Sequence, residues 1–271
     1  MGQDRIFDEP STGRNLSRSD LDPSEGPVIG DNLWSQPMWI AMSSSESTAS
    51  DHLADLVRLQ AERARANGLK PGEMVEGAEI IVVRRNPETG RKHFGLLKWG
   101  LIPHDAPDTS RPHLHARAET VAELKPFAQS FRRRRCVISV EAFSQRRTIG
   151  EPKGRLFSIG MADGSSMLVA GIWDAWNVKG TDTWIRTFAT ITVPANTLVG
   201  EIHDRMPALL SRDQMPFWFG DVEMPIDEVQ GMLRPFPADR MIRWPAKSKR
   251  PPAVVEARLP DPEPDLFTPR S

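Results

Sequence analysis

Two apolar-rich runs, EIIVVRR (79–85) and KHFGLLKW (92–99), flank the segment NPETG, and this stretch constrains the fold more than any other. β-Branched and aromatic residues dominate the runs, while Asn, Pro and Gly supply turn chemistry between them, so the stretch predicts a β-hairpin. Further strands are predicted at CVISVEAF (136–143), RLFSIGM (155–161), SMLVAGIWDAW (166–176) and WIRTFATITV (184–193), with ADG (162–164) as a tight turn. Helical signals are fewer. Residues 51–68 repeat Leu53, Leu56, Val57 and Leu59, with Asp51 placed to cap and Gly68 to stop the helix. Residues 121–135 read as a helix interrupted at Pro126, with Phe127 and Phe131 one turn apart, and short helices are predicted at 212–219 and 225–233. The elements do not alternate as βαβ units. They predict an α+β class: a compact, β-rich fold with peripheral helices, and a strand-rich core from about 75 to 245. Residues 1–50 form a polar arm that is expected to be loosely attached, 51–245 the domain, and 246–271 a proline-rich flexible tail.

Composition narrows the function. No apolar run approaches the roughly 20 residues that span a bilayer, so no membrane partner is expected. The first residues lack a basic start followed by an apolar stretch, so no secretory signal is expected. A single cysteine, Cys136, excludes a disulfide framework and any multi-cysteine metal site within these residues, and points to a reducing, cytoplasmic location. The net charge of −1 argues against wholesale polyanion binding. Its distribution says more: residues 80–150 hold 14 Lys/Arg against 6 Asp/Glu, while the rest carries an excess of 9 negative charges. A basic middle inside an acidic frame suits one localised patch for phosphates, or else solvated arginines on unrelated faces.

Four clusters could carry chemistry. LKWGLIPHDAP (97–107) places Trp99 at a strand end beside Gly100, where it either stacks on an unpaired base or simply packs in the core. RPHLHARAET (111–120) sets His113, His115, Arg117 and Glu119 at alternating positions, on one face if the segment is extended. Two histidines so spaced could ligate a metal, but no local Cys or acid completes a metal pattern, and none is expected; the plain alternative for Arg117 is an ion pair with Glu119. FRRRRC (131–136) puts Arg132, Arg133, Arg134 and Arg135 ahead of a strand, either as a solvated face or as guanidinium groups delivered to phosphates. IHDRMP (202–207) joins His203, suited to proton transfer near neutral pH, to Arg205, suited to holding a phosphate.

Six strings in order, WGLIP, ARAET, FRRRRC, VAGIWDAW, ITVPAN and IHDRMPALL, resemble the SOS-response-associated peptidase (SRAP) family of abasic-site-processing proteins over roughly residues 75–245. The resemblance implies a β-rich fold with a basic channel for single-stranded DNA, a monomer, no cofactor, and capture of abasic sites. In that family a cysteine after the initiator methionine closes a thiazolidine on the abasic aldehyde, assisted by an Asn, a Glu and a His. This sequence departs from that pattern. Residue 2 is Gly, the Asn position is His115, the Glu position is Gln145, and only His203 is kept. The resemblance implies that Trp99 stacks on bases and that Arg117 and Arg205 contact phosphates, with help from one or more of Arg132 to Arg135.

Binding groups kept and bond-making groups altered predict a catalytically impaired, pseudoenzyme-like reader of single-stranded or abasic DNA in the damage response. Two alternatives remain. One is a residual lyase that forms a Schiff base through an amine such as that of Gly2 or Lys98, with His115 standing in as acid or base. The other is a protein-interaction module that docks a damage-response partner, or in which the acidic arm (Asp4, Asp8, Glu9, Asp20, Asp22 and Glu25) competes for the arginines. Peptidase activity, which the family name promises, is not expected.

Overall fold

The computed structural model describes residues 28–29, 62, 76–85, 92–150 and 154–251. The helix expected over 51–68 (apart from residue 62), the NPETG turn, the arm apart from residues 28–29, and the tail beyond 251 lie outside the described residues. After β1 (Val28–Ile29), the predicted hairpin forms with the bounds read from sequence, as β2 (Glu79–Arg85) and β3 (Lys92–Trp99). Next come β4 (His115–Arg117), helix α1 (Lys125–Arg133), β5 (Arg135–Val140), β6 (Ala142–Arg146), β7 (Leu156–Met161), β8 (Met167–Asn177) and β9 (Trp184–Pro194). The chain continues through α2 (Thr197–Gly200), β10 (Arg205–Pro207), β11 (Leu209–Leu210), α3 (Met215–Phe219), α4 (Ile226–Gly231) and β12 (Met241–Pro245).

Strands β3, β2, β5, β8 and β9 pair antiparallel in that order, and β9 returns to β3 in parallel through Lys98–Thr187 and Trp99–Phe188. That last pairing closes a five-stranded barrel and removes its open edges. Leu97, Ile138, Ile172, Phe188 and Ile191 are almost wholly buried in its core. Burying each such side chain contributes roughly 1.5–3 kcal/mol before entropy is counted. Gly171 lets β8 pass close to β5, because a Cβ there would lie 2.9 Å from Cys136 Sγ and 2.9 Å from Ile138 Cδ1. The class is therefore α+β and β-rich, as the strand runs predicted.

Two local expectations are corrected. CVISVEAF is two strands: β5 joins the barrel, the chain breaks at Glu141, and β6 joins a second sheet of order β12–β7–β6. Apolarity runs through that break, so periodicity could not expose it. Pro126 does not interrupt a helix; it sits in the first turn of α1, where a missing N–H costs no hydrogen bond. Phe127, Ser130 and Phe131 form the buried face of α1, and Phe131 meets Trp218 edge to face at 6.1 Å. Among the described residues, no helix is long and apolar enough to cross a membrane.

Candidate functional site

Along its last third β9 changes neighbours: β4 succeeds β3 on one side, and β10 succeeds β8 on the other. The ARAET string explains why β4 fits there. Ala116 and Ala118 are small and buried, while His115, Arg117 and Glu119 alternate with them and emerge. Parallel register sets His115 against Thr190 and Arg117 against Thr192. His115 Nδ1 lies 2.8 Å from Thr190 Oγ1, and its ring meets Trp99 edge to face at 5.4 Å. Trp99 is itself fixed, since its Nε1–H donates to the Leu114 carbonyl at 3.0 Å. Gly100 then turns the chain at φ +122°, with Pro112 Cβ 2.9 Å from where a side chain would begin. Only glycine meets both demands.

β10 supplies the opposite wall. His203 Nδ1 lies 2.9 Å from the Arg205 backbone N–H and 3.1 Å from the Arg205 carbonyl, so the backbone of β10 orients the ring. The Asp204 carboxylate lies 3.1 Å from the same Nδ1. Burial, and then the neighbouring His203, hold the His115 imidazole below its ordinary pKa.

Arg205 is not a free cation. Its guanidinium grips both Glu119 oxygens at 2.6 and 2.9 Å and the Thr192 carbonyl at 2.6 Å. The expected alternative pair, Arg117–Glu119, is thus replaced by Arg205–Glu119, which draws the Glu119 carboxyl below the usual carboxylate range. Arg117 is left exposed, and its guanidinium forms no hydrogen bond among the described residues. Long-range closure of the sheet made this exchange, and local spacing carried no sign of it.

The structure divides the remaining predicted residues. Gln145 lies on β6 in the second sheet, and the chain just beyond it meets the His203 segment through the Thr148 N–H bond to the Ile202 carbonyl at 2.8 Å. His113 packs edge to face on Phe127 at 5.1 Å instead of joining His115. The four arginines have different fates. Arg134 binds the buried Asp174 at 2.8 Å. Arg135 lies over Trp218 and donates to the Trp218 carbonyl and to the Phe131 carbonyl at the end of α1. Arg132 and Arg133 are exposed. All four line one cleft of about 850 Å³ with Arg85, Phe217, Phe219, Gly220 and residues 222–225, a group that contains neither Trp99, His115, Arg117, His203 nor Arg205.

Asp174 was missed as an organising group. It is 1% exposed and gathers Arg134, Ser130 Oγ at 3.2 Å, and the backbone N–H and Nδ1 of His104 at 3.0 and 3.1 Å. An aspartate between two tryptophans in a long apolar strand was the available signal, since a charge buried there must be paired. Cys136 is fully buried, and burial pushes its thiol pKa far up, so it is no nucleophile.

Residues 41–249 match the model of the SOS response associated peptidase (SRAP) family. The chain is 31% identical over 151 residues to YobE of Bacillus subtilis, named an abasic site processing protein, which covers 55% of this chain and 68% of YobE. A vertebrate relative, HMCES of Xenopus tropicalis, carries the same description and is 23% identical over 175 residues, or 56% of this chain and 52% of HMCES. Among solved structures, a protein from Bacteroides thetaiotaomicron superposes with a TM-score of 0.60 at 22% identity, covering 71% of this chain and 87% of that one. The matched stretch spans about two thirds of the Bacillus relative's length and about half of the vertebrate one's.

Proposed function

The chain belongs to the SOS response associated peptidase (SRAP) family, and from that premise we propose that it is a reader of single-stranded DNA that recognises abasic sites and holds them without a permanent covalent bond. One observation carries the reading: Trp99 and His115 meet edge to face, His203 lies close enough to lower the His115 pKa, and the exposed Arg117 sits one pleat away on the same strand face. A half-buried aromatic ring beside an exposed guanidinium is a pairing that can hold a base and its neighbouring phosphate. Where a base is missing, the sugar can approach the two imidazoles. There the His203 ring and the neutral His115 donate, accept or relay a proton.

A durable adduct needs a nucleophile. The thiol of these 271 residues is sealed in the barrel wall, and Gln145 can form hydrogen bonds but takes no proton at neutral pH. The reading places the protein in the cytoplasm, as a monomer in the DNA-damage response, with Arg205 reaching phosphate only when Glu119 gives way. Its test is the binding of a labelled single strand by fluorescence anisotropy across a salt series. Arg117→Ala lowers affinity and reduces the salt slope by about 0.7, the share of one phosphate on a single strand. An unchanged slope in that variant removes Arg117 from the interface and the reading with it.

A further inference from the structure

The arginine cleft lies apart from the strip just described. Lys92 begins β3 and Trp99 ends it, which at about 3.3 Å per residue separates them by roughly 23 Å of strand. Lys92 Nζ is tied to Asp221 at 2.6 Å, beside the cleft residues Gly220 and Val222. The cleft's volume of about 850 Å³ falls in the range of a built ligand site.

Its walls differ in chemistry. On one side Arg134 and Arg135 are spent on the fold, while Arg132 and Arg133 are exposed; the Arg133 guanidinium has no hydrogen-bond partner among the described residues, and that of Arg132 reaches only the Ala122 carbonyl, at 3.5 Å. The other side presents the half-buried Phe217 and the 46% exposed Val222. Five arginines line the cleft against one carboxylate, that of the exposed Glu223. The α1 carbonyls at this end, which would repel an anion, are already engaged by Arg135 at 2.8 and 3.2 Å. Burial and then the charge of Arg85 push the Arg135 pKa down to about 10.

We infer that this cleft is a second single-strand subsite, in which Arg132 and Arg133 hold a phosphodiester while Phe217 and Val222 receive the attached base. The inference rests on the single-strand reading above, and it adds a footprint: the protein holds a strand at the Trp99 strip and again at the cleft. Only a strand long enough to bridge the two gains from both.

The test measures anisotropy with two probes, a trinucleotide carrying a central abasic site and a strand of about 15 nucleotides carrying the same site, a length within single-strand footprints of this kind. The protein variants are Arg132→Gln/Arg133→Gln, Arg132→Lys/Arg133→Lys and Trp99→Ala. The Gln pair is expected to weaken the long strand about 10-fold, to lower its salt slope by about 1.4 for two phosphates, and to leave the trinucleotide unchanged. The Lys pair keeps the slope. A long strand bound equally by wild type and the Gln pair overturns the cleft while leaving the strip reading intact. Long-strand binding lost in the Gln pair but indifferent to Trp99→Ala supports the cleft and sinks the strip. Binding of neither probe to wild type sinks both.

Discussion

Arg205 and Arg134 each grip a carboxylate, yet the two pairs do different work. Asp174 is sealed and organises five hydrogen bonds from Arg134, Ser130, His104 and Ala175, whereas Glu119 is 45% exposed by its side chain and meets Arg205 at the surface of the strip. The interior pair ties α1, β8 and the 101–107 loop into one body. The surface pair joins β10 to the segment after β4. An arginine string therefore says little about binding until burial and partners are known: Arg117, Arg132 and Arg133 are available to a ligand, while Arg134 and Arg135 build the wall behind them.

Substitutions that break this contrast should be ordered by burial. Asp174→Ala leaves a partly buried guanidinium and two backbone N–H groups without their acceptor, and is expected to destabilise by about 3–5 kcal/mol in urea unfolding. If its cost is as small as that of a surface pair, Asp174 is not the organising group. Glu119→Gln should cost less than about 1 kcal/mol, because the pair is exposed and screened. It should also raise DNA affinity severalfold at low salt by releasing Arg205; an affinity that falls instead would show that Glu119 positions Arg205 and does not withhold it.

The smallest expected effect concerns pH. His115 has a folded pKa below its unfolded value, so in the interval below about 6.5 the unfolded chain binds more protons than the native one. Stability contributed by the neutral ring is therefore present above that interval and is lost as pH falls through it. His115→Gln should flatten the fall in melting temperature between pH 7 and 5, which a thermal series at several pH values checks directly. A slope unchanged by the variant would place the titration elsewhere, with His113, also lowered by burial, the next to replace.

The sequence made the local parts visible. The 79–99 hairpin and β7, β8 and β9 declare themselves through β-branched runs and turn residues, and the six strings marked Trp99, Arg117 and His203. What stayed hidden needed long-range closure. The parallel β3–β9 pairing has no local signature, β4 and β10 are three residues each, and the exchange of Arg117 for Arg205 as the partner of Glu119 depends on elements 86 residues apart. The arginine run illustrates the same limit, because four adjacent guanidinium groups look alike in sequence and are sorted only when α1 and β5 take their places.

The central claim is non-covalent capture, and one gel addresses it most directly. The purified protein is incubated with a labelled single strand carrying one abasic site, with and without borohydride, and run under native and denaturing conditions. The account predicts a native shift, an intact strand, and no species that survives denaturation in either lane. A denaturation-resistant adduct or a cleaved strand that disappears in His203→Ala would contradict it, and would mean that the two imidazoles serve a nucleophile in bond formation.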